Sequence, residues 1–94
     1  MIKEAENRPD VIVSILKAAN FSRGITLAKI TEKVDWIEST YSLKQYLSIL
    51  EKNGLLSFQK GEQVYRTTYK GMNFLQTYKR AIDSITNSIR KNEN

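Results

Sequence analysis

TYSLKQYLSILEKNGLLSFQKGEQVYRT, residues 40–67, holds the change of period that decides the fold. Its first half repeats apolar residues at helical spacing. Leu43, Tyr46, Leu47 and Leu50 fall on one face of a helix that Ser39 or Thr40 can cap. Asn53-Gly54 stops that helix, because glycine takes the left-handed conformation without a Cβ penalty. Beyond it, Leu55–Gln59 and Gln63–Thr67 read as two short strands. Lys60-Gly61-Glu62 supplies the turn between them, with Gly61 able to adopt a positive φ. A hairpin alone is marginal in water, so this one must pack on helices; Leu55, Phe58 and Val64 are its expected anchors.

Working outward, Asn7-Arg8-Pro9-Asp10 reads as a helix start. Pro9 suits the first helical position, where its missing N–H costs nothing, and Asp10 complements the positive helix end. Val11, Ile12, Ile15, Leu16 and Ala19 form its apolar stripe, and the helix is expected to end near Asn20. Phe21 to Ile25 reads as a connector. Thr26 can cap a second, short helix that buries Ile30 and Val34. Asp35 to Glu38 is a turn, with Trp36 expected as a plug over the core. Downstream, Thr67 or Thr68 caps a long helix predicted to run to about Arg90.

The order is helix, helix, helix, hairpin, helix. This is a mainly α fold with a minor β component: a winged helix-turn-helix followed by a long C-terminal dimerisation helix. Residues 1–74 are expected to form the winged-helix domain with an N-terminal extension, and residues 75–94 the part of the long helix that carries a dimer seam.

Composition narrows the function. The 94 residues are 40% hydrophobic and 27% charged, suiting one soluble domain. Cysteine and histidine are both absent, which removes the thiol nucleophile, the commonest general base and the commonest metal ligands. No enzyme, cofactor, metal or small-molecule ligand is expected. No stretch is long and apolar enough to span a membrane, and the start lacks a signal-peptide pattern. The expected location is cytoplasmic and nucleoid-associated. The net charge of +5 is unevenly spread. Residues 1–38 balance, as do residues 81–94, whereas residues 39–80 hold seven basic residues against Glu51 and Glu62 alone. A local positive excess attracts polyanions, of which double-stranded DNA is the commonest.

In a helix-turn-helix the second helix enters the major groove with its N-terminus leading. The candidate DNA-binding residues on that helix are Ser39, Thr40, Tyr41, Ser42, Lys44 and Gln45. Hydroxyls and the helix start suit phosphates, Gln45 suits bidentate pairing with adenine, and Lys44 suits guanine or a phosphate. The hairpin adds Lys60, Gln63 and Arg66, placed to follow the backbone or enter the minor groove. On the last helix Leu75, Tyr78, Ile82, Ile85 and Ile89 recur at heptad spacing. Nothing in the remaining sequence buries that seam, so a second copy is the expected partner. The flanking positions carry little charge and leave parallel and antiparallel pairing open.

Leu43-Lys44-Gln45-Tyr46-Leu47, Leu50-Glu51-Lys52-Asn53-Gly54-Leu55-Leu56, Tyr65-Arg66-Thr67-Thr68-Tyr69-Lys70-Gly71 and Phe74-Leu75-Gln76-Thr77-Tyr78 resemble the archaeal winged-helix DNA-binding proteins of the ten-kilodalton "10a" type. The resemblance covers about the last two thirds of the domain. It implies a chromatin-associated or regulatory homodimer joined by an antiparallel coiled coil of the C-terminal helices. The leading functional reading is a homodimer that binds double-stranded DNA, specifically or generally. The alternative is a winged helix that docks another protein, a role in which more apolar surface would be exposed.

Overall fold

The computed structural model describes residues 8–21, 23–34 and 40–92. The turn at Asp35–Glu38, its Trp36 and the candidate Ser39 lie outside the described residues. The elements run α1 (Pro9–Ala18), β1 (Ile25–Thr26), α2 (Leu27–Lys33), α3 (Thr40–Lys52), β2 (Leu56–Gln59), β3 (Val64–Thr67) and α4 (Tyr69–Asn92).

Pro9 opens α1 as expected. Arg8 precedes it without a side-chain cap; its guanidinium instead bonds Asp10 at 2.8 Å and holds that carboxyl below the usual carboxylate range. Thr26 caps α2 by accepting the Lys29 N–H at 3.2 Å. The apolar faces of α1, α2 and α3 meet in one core of Val11, Ile15, Leu16, Ile30, Val34, Leu43, Leu47 and Leu50, with Leu56 from the hairpin. Val13, off the stripe expected for α1, is also buried and faces a groove beside α4.

The sheet is three-stranded and antiparallel, in the order β1-β3-β2. β1 was not foreseen. Ile25, expected in a connector, and Thr26, expected to cap α2, pair with Tyr65 and Val64 and tie this segment to the hairpin. Two residues carry no measurable alternation, so only the tertiary pairing defines them.

The hairpin differs from expectation in two places. Its deepest residue is Leu56 rather than Leu55, while Phe58 and Val64 are half-buried. Phe58 stands opposite Tyr65 with ring centroids 4.7 Å apart, so the sheet face is closed by this cross-strand pair. The positive φ of the turn falls on Gln63 (φ 56) and not on Gly61. The loop closes at its last residue, and the Gln63 amide donates to the Lys60 carbonyl at 2.8 Å across it.

Among the described residues, Thr67 is the one buried polar residue of the core. Its hydroxyl donates to the Leu16 carbonyl at 2.7 Å and its N–H to the Ala19 carbonyl at 3.1 Å. Both acceptors lie at the end of α1, where the last turn of a helix leaves carbonyls without partners. β3 thereby finishes α1.

Candidate nucleic-acid interface

α3 is positioned by burial on one side and by caps at its end. Leu43, Tyr46, Leu47 and Leu50 are all buried, as their spacing requires. The C-terminus is a Schellman motif. Gly54, at φ 75, donates to the Glu51 carbonyl, and Leu55 donates to the Leu50 carbonyl at 3.0 Å. Two side chains from the start of α4 complete the joint. Lys70 Nζ donates to the Asn53 carbonyl at 2.9 Å, placing a cation at the negative end of α3. The Thr68 hydroxyl donates to the Gly54 carbonyl at 2.6 Å and accepts the Gly71 N–H at 3.1 Å, so one residue ends α3 and caps α4. Gly71 fits because a Cβ there would collide with the Leu55 carbonyl. Sequence reasoning placed a cap at Thr67 or Thr68. It did not foresee that Lys70, counted among the basic excess, is committed to a helix end.

The outward side of α3 presents Tyr41, Lys44 and Ser48, all exposed, with Ser42 half-buried. Thr40 is the first helical residue. Gln45 is half-buried, and its Nε2 donates to Tyr41 Oη at 3.0 Å. The i,i+4 spacing of these two residues was the available signal for that bond. Beside α3, the hairpin carries Lys60 and Gln63 at its exposed tip and Arg66 on the exposed side of β3. Gln63 is engaged in closing the turn. Tyr65, on β3 of the hairpin, has its phenol pushed above the ordinary value by burial and, secondarily, by Glu51.

α4 divides at about Ile82. Phe74 and Leu75 pack against the core, and Phe74 stacks on Tyr78 with centroids 6.4 Å apart. Ile82, Ile85 and Ile89 are 43%, 57% and 54% exposed. Leu75, Tyr78 and Ile82 also line, with Val13, Lys17 and Asn20, an open groove between α1 and α4.

Three helices sharing one core, with a hairpin packed behind the third, are the arrangement that a family comparison tests. A family model described as winged helix-turn-helix matches residues 7–86. The chain belongs to the winged helix-turn-helix family. No curated protein and no solved structure gives a match. Winged helix-turn-helix domains point to DNA binding in general, and the family is typically non-enzymatic. Among the described residues of this winged helix, no group of acidic side chains could hold a metal ion, and no helix is long and apolar enough to cross a membrane.

Proposed function

We propose that this winged helix binds double-stranded DNA as a homodimer, as a local transcription regulator or an architectural chromatin protein. α3 would enter the major groove, with Tyr41, Ser42 and Lys44 at its leading end and Gln45 beside Tyr41; Ser39 and Thr40 are candidates from the sequence pattern alone. Lys60 and Arg66 would follow the phosphate backbone from the wing, with Gln63 shaping its tip. The observation that carries the reading is the exposed face of α3 and its wing lying in the one segment that holds the whole basic excess. Phosphate neutralisation by lysine and arginine supplies most non-specific affinity for DNA. The resemblance to the archaeal "10a" type agrees with this reading, and with a nucleoid-associated location.

Lys60→Glu combined with Arg66→Glu is expected to weaken binding to a duplex at least tenfold while the thermal transition stays in place. Fluorescence anisotropy and circular dichroism measure the two together. Unchanged affinity would take the wing out of the interface.

The dimer would form along Leu75, Tyr78, Ile82, Ile85 and Ile89. A row of half-exposed isoleucines on a rigid helix is a surface that soluble proteins normally cover. Ile82→Asp with Ile85→Asp is expected to give monomers by light scattering. Dimers that persist in this variant would move the contact elsewhere. A protein-docking role is the competing reading, and a fold with no affinity for any duplex would favour it.

A further inference from the structure

Gln45 is placed oddly for a residue that reads bases. Bidentate recognition of adenine needs the donor and the acceptor of the amide presented together at the surface. Here Nε2 is engaged by Tyr41 Oη at 3.0 Å. Oε1 is buried and has no hydrogen-bond partner among the described residues. An acceptor buried in this way lowers stability, and an apolar side chain of similar length would avoid that loss. Tyr41 accounts for keeping an amide there. The ring is 53% exposed on the first turn of α3, so without an anchor it would sample several rotamers. The amide fixes it. Because Oη accepts the amide N–H, its own hydroxyl hydrogen remains to be donated outward. Holding the donor in place before contact reduces the ordering cost of binding.

We propose that Tyr41 donates its hydroxyl to a DNA phosphate oxygen and that Gln45 is the residue positioning it, rather than a reader of bases. The proposal rests on the DNA-binding reading above. A phosphate is favoured over a base edge because Tyr41 shares its exposed helix face with Lys44 and offers a single donor, with no second group for a bidentate pair.

The test compares the wild-type chain with Tyr41→Phe, Gln45→Met and the double variant. Anisotropy on two unrelated duplexes over a salt series is combined with thermal melting. Tyr41→Phe should bind about tenfold more weakly, the scale of a hydrogen bond to a charged group. The loss should be equal on both duplexes. The slope of log affinity against log salt should not change, because a neutral phenol releases no counterion. Gln45→Met should melt higher than wild type yet bind severalfold more weakly, and the double variant should bind no more weakly than Tyr41→Phe alone. Wild-type affinity in Tyr41→Phe would overturn the proposal. So would a loss confined to one duplex, or a Gln45→Met that melts lower, or losses that simply add. If the wild-type chain binds neither duplex at any salt, the DNA reading itself fails and takes this proposal with it.

Discussion

α3 and the outer half of α4 are built on the same pattern and end in different states. Each repeats large apolar residues three and four apart. On α3 the stripe of Leu43, Tyr46, Leu47 and Leu50 is closed by the chain's own helices and hairpin. The Leu50 and Glu51 carbonyls at its end are taken by Leu55 and Gly54, and the carbonyls of Asn53 and Gly54 just beyond it by Lys70 and Thr68. On α4 the stripe starts in that core at Leu75 and leaves it, so Ile82, Ile85 and Ile89 stand exposed. Periodicity identifies the face that excludes water. Whether that face belongs to the fold or to an interface depends on what else the chain brings to it.

The sharpest way to break the comparison is to cut the same kind of residue from both stripes. Leu50→Ala removes a fully enclosed side chain and should cost about 3 kcal/mol, lowering Tm by more than about 10 °C. Ile85→Ala, at protein concentrations where monomer dominates, should stay within about 0.5 kcal/mol of wild type. Equal losses in the two variants would mean that the outer half of α4 is covered within one chain. A smaller effect probes the joint between the helices. Thr68→Ala removes both the cap of α4 and the donor to Gly54, and should cost about 1–2 kcal/mol in urea denaturation. Wild-type stability there would show that solvent replaces both bonds. The smallest effect concerns the wing, which belongs to neither stripe. Gln63→Gly relieves a left-handed backbone but loses the bond to Lys60, for a net gain of about 0.5 kcal/mol. A lower urea midpoint would mean that the side-chain bond outweighs the backbone strain.

Most of the scaffold was legible because it rests on local chemistry. Pro9, Thr26 and Gly54 mark helix ends by properties of their own backbones, and the stripe of α3 is explicit at helical spacing. What escaped was tertiary. β1 exists only because Ile25 and Thr26 meet β3. Val13 is buried only because α4 passes beside α1. Leu55 and Leu56 are equivalent in sequence, and the path of the chain out of the Schellman turn selects Leu56 for the core. The positive φ falls on Gln63, the last residue before β3, and not on Gly61, which residue type alone favours. In the candidate interface, residue types pointed to the α3 face and the wing. They could not show that Lys70 is committed to the end of α3, or that Gln45 turns inward toward Tyr41.

The central claim is that the basic middle segment of this winged helix meets the DNA backbone. Its most direct test is the affinity of the wild-type chain for a random-sequence duplex, by fluorescence anisotropy, over a salt series. Affinity should fall linearly with log salt, with a slope that reports several phosphate contacts. A flat response, or no binding at low salt, would contradict the claim.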